Sequence, residues 1–569
     1  MGDRSVSIFR ESPLGRGFII YALICLFNLA LGAYLWFPRF EWFWIFLPIP
    51  ESTAAVLVLI LIGRLSIHFP GRTFLSLLCG TMLLMYTLLF ISLGLFTAGE
   101  AFFQHVYQRT FVLVSNLPLA SHFFNMIFRT EIFSRRLYLL LPAAGLYILL
   151  VLIFFRVFRA SLPVLAKIRI RPDFMIGLGM LAFSLALIPV PSAAQRLYRQ
   201  LISPGESRGI APVPAIDSSL SYGGYLENRG TRFVFPGIAD RNLHLAVVES
   251  YGTTVFTNEH HFARLSDFYA EQEKLLSRNG RTVLTYGYES TTYGGTSWLA
   301  DAAILTGIDI HTQAIYDQVV KSSTPNLLHL LDNRGYKTLL SAPGSKFMTP
   351  EYTGFYAYSS YFLYDDYEYL GPFFTFGRLP DQYQLFYINS RIREGSIPGF
   401  TEPYFAEYIL CSSHVPWNFI PPYLSSWKDF NYGRVYFDQS KNTWYENSWA
   451  AGSELFEGYA HSIRYSLESV FGFALNLLDE DDILIVIGDH QPKFPVSERE
   501  AGYGVPVHVI AADETVLLPF LRHGYTRGLI LPDPYHLPGL EEFLGHLLSV
   551  AEGQSLRPRS ASAPLSIPQ

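Results

Sequence analysis

The sequence predicts an N-terminal α-helical transmembrane bundle of five spans, followed by an α/β domain with a mainly parallel sheet. Three observations carry that expectation. The chain has 569 residues, more than one ordinary domain holds. Hydrophobic residues make up 50% of it and charged ones 16%, against a usual charged share of about 25%. The apolar excess, which lifts the mean hydropathy to +0.22, is concentrated in the first third. Beyond it, short apolar runs alternate with helical patterns in a chain rich in Tyr, Gly and Pro. The net charge of −6 provides no whole-protein basic field, so nucleic acid is not expected as a partner.

Five segments are apolar enough to supply the spans, each of which needs about 20 residues. They run roughly 17–37, 51–68, 73–97, 137–158 and 173–193. The second is the weakest, because Pro48, Pro50 and Glu51 crowd its start. More spans follow the first, which also lacks a small-residue cleavage site, so it does not read as a cleavable signal peptide. Arg4, Arg10 and Arg16 precede the first span, Arg64 and Arg72 lie between the second and third, and Arg156, Arg159, Lys167, Arg169 and Arg171 follow the fourth. The positive-inside rule makes those segments cytoplasmic. An odd number of spans then places everything after about residue 194 on the periplasmic or extracellular side of the cytoplasmic (inner) membrane. The loop 98–136 carries Phe102, Phe103, Phe111, Phe123, Phe124 and Phe128, and reads equally as an interfacial helix or as a loop packed on the bundle. Its Arg109, Arg129, Arg135 and Arg136 run against the charge rule.

The domains expected are therefore 1–193 in the membrane, a Pro- and Gly-rich linker over 194–240, an outer domain over 241–552 and a disordered Ser/Pro/Ala tail over 553–569. Cys25, Cys79 and Cys411 imply no disulfide framework.

In the outer domain, buried strands are expected at 243–249, 281–286, 336–341, 405–412, 483–488 and 505–511. Helices are expected at 262–276, 298–306, 324–334 and 459–479. Sheets of this kind gather reactive groups at the carboxyl ends of their strands. Two strands end in polar residues there: LHLAVV runs into Glu249-Ser250, and ILIVIG into Asp489-His490. A carboxylate or imidazole closing a buried strand is costly unless it is paired or bound to a cation. Either end alone reads equally well as a strand cap, but Glu, Asp and His together form an oxygen and nitrogen set suited to a divalent metal. A Gly-Gly pair precedes Thr296, and a helix pattern begins near Trp298. Thr296 then lies at a helix N-terminus, where N–H groups attract anions and a metal can activate a hydroxyl. Thr296 or Ser297 as a plain N-cap is the simpler alternative for that segment taken alone.

In chain order, VVES (Glu249), GGTSWLADAAILTG (Thr296), ILCSSHVPW (His414) and ILIVIGDHQP (Asp489, His490), with TPNLLHLL at 324–331, resemble the alkaline phosphatase/sulfatase superfamily. Within it they are most similar to membrane-anchored lipoteichoic acid synthases, phosphoglycerol transferases and phosphoethanolamine transferases. The resemblance covers about 241–550 and implies an alkaline-phosphatase-like fold. It also implies one divalent ion, Mn or Zn with Mg possible, on Glu249, Thr296, Asp489 and His490, with Thr296 as nucleophile and His414 binding substrate. The partners implied are a phospholipid donor, a glycan or lipid acceptor and the membrane. The implied reaction moves a phosphoglycerol or phosphoethanolamine group through a phosphothreonine intermediate. A phosphodiesterase or sulfatase-type hydrolase is the alternative, and a non-catalytic envelope scaffold a third reading. Gly295-Thr296-Ser297-Trp298 lacks the C/S-x-P-x-R motif of sulfatases, no second Asp/His set is present for a second metal, and the Trp-Asn-Arg motif of lipoteichoic acid synthases is not evident.

Three further stretches have plain readings. His260-His261 is expected at a solvated helix start, and Asp479, Glu480, Asp481 and Asp482 in an exposed turn. The Tyr-rich region 352–388 reads either as an aromatic platform for sugars or as surface loops.

Overall fold

The structure is a computed structural model that describes residues 78–88, 90–92, 133–166, 240–374, 378–438, 443–444, 453–498 and 501–552. The expected spans at 17–37, 51–68 and 173–193, nearly all of the loop 98–136, the linker and the tail lie outside them. The chain divides into two compact units, the second beginning at Pro214 apart from the short piece Val106–Gln108.

In the first unit, α1 (Phe133–Ala166) contains the one stretch among the described residues that is long and apolar enough to cross a membrane, Gly145–Pro163. Arg156 and Arg159 fall inside that stretch rather than beyond its end, so the helix continues past the boundary expected at 158. A shorter apolar helix, Leu78–Ser92, occupies the middle of the expected third span. A bundle of five spans is not established by these two helices.

The second unit is built on one eight-stranded sheet. In chain order its strands and principal helices are β1 (Leu243–Val248), α2 (Glu259–Arg278), β2 (Thr282–Glu289), α3 (Ser297–Thr306), β3 (Lys337–Ala342), β4 (Ser360–Leu363), α4 (Asp381–Arg393), β5 (Tyr404–Leu410), α5 (Ser453–Asn476), β6 (Ile483–Gly488), β7 (Gly504–Ala511), β8 (Thr526–Arg527) and α6 (Glu542–Glu552). The sheet order is β8-β2-β7-β6-β1-β5-β3-β4.

The sheet is mainly parallel, with antiparallel pairing at one side. β4, β3, β5, β1 and β6 are mutually parallel, while β7 pairs antiparallel with both β6 and β2, and β8 antiparallel with β2. The physical reason lies in the connections. A helix carries the chain back between parallel neighbours, whereas the loop after β6 returns directly into β7 with no crossover helix, which forces antiparallel pairing.

β1 and β6 are buried along their whole length. Their unbroken apolar runs follow from having both faces covered. Ala246 and Val248 of β1, and Ala406, Tyr408 and Leu410 of β5, share a core with Leu265 and Phe268 of α2, Leu385 and Ile388 of α4, and Ile463, Leu467 and Phe471 of α5. Each such side chain contributes about 1.5–3 kcal/mol on burial. Alternation sends the intervening residues, Leu245 and Glu407 among them, to the opposite face. Leu245 and Glu407 are register partners and so point the same way.

The Tyr-rich region is neither a platform nor a set of surface loops. It contains β4, the start of α4 and a short helix at Pro350–Tyr356, and it buries Tyr356, Tyr358, Tyr364, Tyr367, Tyr369, Tyr383 and Tyr387. Each hydroxyl needs a partner inside the protein: Tyr367 meets Ser341 Oγ at 2.7 Å, and Tyr383 donates to the Tyr367 carbonyl at 3.0 Å. Two other plain readings are corrected. His261 is fully buried, with Nε2 2.9 Å from the Val496 carbonyl. Asp482 is buried too, accepting from Asn242 at 3.0 Å, so only part of the acidic run is an exposed turn.

Candidate active site

The register of β1 against β6 builds the site. Val248 is paired with Gly488, so the next residues, Glu249 and Asp489, leave the sheet side by side at its carboxyl edge. Gly488 permits the approach, since a Cβ there would come 1.9 Å from the Tyr251 carbonyl oxygen. Ser250 then turns the chain with φ 57°, and its N–H donates to Asp489 Oδ1 at 2.7 Å while its hydroxyl donates to Glu249 Oε1 at 3.0 Å.

Glu249, Asp489 and His490 present ligand atoms that all lie within 4.8 Å of one another. His490 Nε2 is 3.4 Å from Glu249 Oε1 and 3.5 Å from Asp489 Oδ2. Its Nδ1 lies 2.7 Å from the Gln491 carbonyl, which orients the ring with Nε2 toward the acids. All three side chains are at least nine-tenths buried. His490 is thus an ion-pair partner of both carboxylates.

Two buried acids this close cannot both hold their charge unaided. Burial, and then the charge of Glu249, push Asp489 up to about 7. Burial acts against the charge of Glu249 too, but the imidazoles of His414 and His490 outweigh it and keep this carboxyl below the usual range. Burial likewise disfavours charge on His490, yet Asp489 and Glu249 together hold its imidazole above the usual range. Two carboxylates and an imidazole, buried and short of positive charge, fit a divalent cation, whose arrival would release the imidazole proton.

The loop 290–296 and the first residue of α3 carry the hydroxyls of Thr296 and Ser297 to this edge. Ser290 Oγ donates to the Asp489 carbonyl at 2.5 Å, and the Gly294 N–H to the Gln491 carbonyl at 3.1 Å, stitching the loop to the residues after β6. Thr296 is the N-cap of α3, with φ 66° and no side-chain cap bond. The first N–H groups of α3 are therefore left without a side-chain acceptor and favour an anion. The Thr296 hydroxyl is turned to the Gly295 carbonyl at 2.5 Å. The alcohol that meets the acids is Ser297, one residue on: its Oγ donates to Glu249 Oε2 at 3.2 Å and lies 3.3 Å from His490 Nε2. From sequence Ser297 was expected only as a possible N-cap beside Thr296.

His414 enters from the loop after β5. Asp381 at the start of α4 accepts the N–H groups of Cys411 and Ser412 at 3.0 and 2.9 Å, and Ser413 Oγ donates to the Glu249 carbonyl at 2.6 Å. His414 is half-buried, with Nδ1 2.6 Å from the Val415 carbonyl, and acts on Glu249 through its charge. Nothing in the sequence near Asp381 signalled its part, because the carboxylate acts on backbone distant in the chain.

The chain is similar to the alkaline phosphatase superfamily. One such protein, from Vibrio parahaemolyticus, matches at 14% identity and a TM-score of 0.35, covering 59% of this chain and 73% of its own. The lipoteichoic acid synthase from Listeria monocytogenes matches at 12% identity and a TM-score of 0.35, covering 58% of this chain and 78% of its own. The periplasmic domain of a phosphoethanolamine transferase from Campylobacter jejuni matches at 12% identity and a TM-score of 0.35, covering 55% of this chain and 88% of its own. No protein-family profile and no curated protein matches the chain. At such identities and TM-scores these are similarities only, and the chemistry rests on the residues themselves.

Proposed function

We propose that the protein is a metal-dependent phosphotransferase that moves a phosphate-linked head group from a membrane phospholipid to an envelope glycan or lipid. The observation that carries this reading is the meeting of Glu249, Asp489 and His490 with the hydroxyl-bearing N-terminus of α3. The motifs around these residues resemble those of phosphoglycerol and phosphoethanolamine transferases. An apolar helix able to span a bilayer earlier in the chain suits a lipid donor and a multi-pass protein whose catalytic domain lies outside the cytoplasmic membrane.

Glu249, Asp489 and His490 would hold the divalent cation, which when bound would polarise a phosphoryl oxygen and lower the pKa of a neighbouring alcohol. Thr296 is the nucleophile in this reading. Its left-handed backbone costs a β-branched residue about 1–2 kcal/mol, and such strain persists where the surroundings impose it and gathers at functional sites. The α3 N-terminus, uncapped by any side chain, receives the phosphate. The Thr296 oxygen forms a bond to phosphorus, the bond from phosphorus to the diacylglycerol oxygen breaks, and the threonine proton passes to that leaving oxygen. An acceptor hydroxyl oxygen then bonds to phosphorus as the bond from phosphorus to the Thr296 oxygen breaks, and the acceptor's proton passes to Thr296, regenerating its hydroxyl. Ser297, donating to Glu249, fixes the orientation of that carboxylate, and His414 binds phosphate oxygens or carries the proton.

The test is reconstitution of the full chain in vesicles of phosphatidylglycerol or phosphatidylethanolamine with Mn²⁺ or Zn²⁺ and a glycan acceptor. Diacylglycerol release together with a modified acceptor is the expected result. Free head group without modified acceptor would show a hydrolase, and no diacylglycerol from either lipid with either metal would end the proposal.

A further inference from the structure

The side chain of Gln491 has no step in the reaction just described, yet it is fully buried and every polar atom of its amide is used. Its Oε1 accepts the Thr254 N–H at 3.2 Å. Its Nε2 donates to Thr253 Oγ1 at 2.9 Å and to the Ala501 carbonyl at 3.2 Å. The amide can be set only this way round, because its oxygen faces an N–H and its nitrogen a carbonyl. Thr253 and Thr254 lie just after Glu249, and the Thr253 N–H is tied in turn to the Gly504 carbonyl at the start of β7, at 2.8 Å. Gly252 makes room for the amide: a Cβ there would lie 1.9 Å from Gln491 Oε1 and 2.7 Å from its Cα.

The main chain of the same residue faces the rest of the site. Its carbonyl accepts the Gly294 N–H at 3.1 Å, two residues before Thr296, and stands 2.7 Å from His490 Nδ1. A carbonyl oxygen only accepts, so the hydrogen of that second contact sits on Nδ1, and a neutral imidazole then keeps its lone pair on Nε2. Nε2 is the nitrogen that faces Glu249 and Asp489. The tautomer able to bind a cation among these acids is therefore the one that the Gln491 carbonyl selects. One residue thus bonds to the stretch after Glu249, to the loop before Thr296 and to the ring of His490.

We infer that Gln491 is a positioning residue for the metal centre: its buried amide locks the chain after Glu249 to the chain after His490, and this lock holds the Gln491 carbonyl against the His490 ring and the Thr296 loop. The inference rests on the metal reading of Glu249, Asp489 and His490 and deepens it. The sheet pairs β1 with β6 as far as Val248 and Gly488. Beyond that point the three hydrogen bonds of one amide do what the ladder does within the sheet. Without them the Thr254 N–H and the Ala501 carbonyl would be left buried and unpaired, and only a shift of backbone could satisfy them. Metal–ligand distances hold to within about 0.2 Å, so such a shift reaches the bound ion.

The experiment titrates the full chain in detergent micelles with Mn²⁺ by calorimetry and melts the same preparations without metal. Gln491→Met keeps the length of the side chain and loses its hydrogen bonds, and Thr253→Val removes the hydroxyl from the other end of the lock. Each should weaken Mn²⁺ binding by about 10- to 100-fold. The double variant should bind about as weakly as the weaker single one, because both changes break one link. Leu467→Ala, in the α5 core, should lower the melting temperature at least as far yet keep Mn²⁺ affinity within about twofold. In the metal-free chain labelled with ¹⁵N-histidine, the signals that His490→Ala removes should report hydrogen on Nδ1, and Gln491→Met should shift them. Wild-type affinity in Gln491→Met and Thr253→Val, an equal loss in Leu467→Ala, or hydrogen on Nε2 in the neutral wild-type ring would each overturn the inference while leaving the metal reading in place. If Gln491→Met does not fold, Thr253→Val decides on the same affinities. A wild type that binds neither Mn²⁺ nor Zn²⁺ removes the metal reading, and this inference with it.

Discussion

His490 Nε2 stands 3.4 Å from Glu249 Oε1, although the two residues come from different strands far apart in the chain. The contact exists because β1 and β6 are parallel neighbours in a register that ends both at one edge. Replacing any of the three clustered side chains should therefore remove metal and activity together. For Glu249→Gln, Asp489→Asn or His490→Ala, bound metal measured by mass spectrometry should fall below stoichiometric. Turnover should drop by about 100-fold or more. A chelator should silence the wild type, and Mn²⁺ or Zn²⁺ should restore it.

The two adjacent hydroxyls separate cleanly by mutation. Thr296→Ala should abolish turnover and any phosphorylated active-site peptide, with folding intact by circular dichroism. Ser297→Ala loses a hydrogen bond to a carboxylate, worth about 1.5–3 kcal/mol, so activity should fall by about 10- to 100-fold without vanishing. The reverse ranking would transfer the nucleophile to Ser297, the alcohol that touches Glu249.

Gly488 tests the packing that brings the strands' ends together. A methyl group at that position would meet the Tyr251 carbonyl at 1.9 Å, so backbone must move. Gly488→Ala is expected to cost about 1–3 kcal/mol. It should also weaken metal binding, read as a lowered apparent melting temperature and a reduced metal content in the same preparation.

Acid sensitivity should come from buried imidazoles. Burial lowers His508 to about 3, and His261 and His546 to about 4 each. Unfolding raises such a group to its ordinary value near 6.5, so the unfolded chain binds more protons below that pH. Stability is complete above about pH 6.5 and declines as the pH falls toward the folded values, by at most about 1.4 kcal/mol per unit for each group. His508 also bonds Tyr251 at 2.8 Å and Thr285 at 2.6 Å, so His508→Gln should lower the melting temperature at pH 7.5 and flatten its decline to pH 5. An unchanged acid slope would remove His508 from this account.

Most of the outer domain was legible along the chain. The strands at 243–248 and 483–488 lie where their apolar runs placed them, and α3 begins one residue from the expected start. α4 and β4 were hidden because their tyrosines are amphipathic and give no clear period: in Asp381–Arg393 the buried side includes Gln382, Gln384 and Asn389, which a hydrophobic pattern does not mark.

Local chemistry along the chain determined that two buried strands would end in Glu249 and in Asp489-His490, and that a Gly-Gly turn would set hydroxyls at a helix start. Which hydroxyl meets the acids, which strands are neighbours and what lies on the second face of the sheet were decided by tertiary structure. The reason is that strand order and register depend on how whole helices cover the sheet, and a rotation about one Thr296 side-chain bond depends on carbonyls supplied by the surrounding fold.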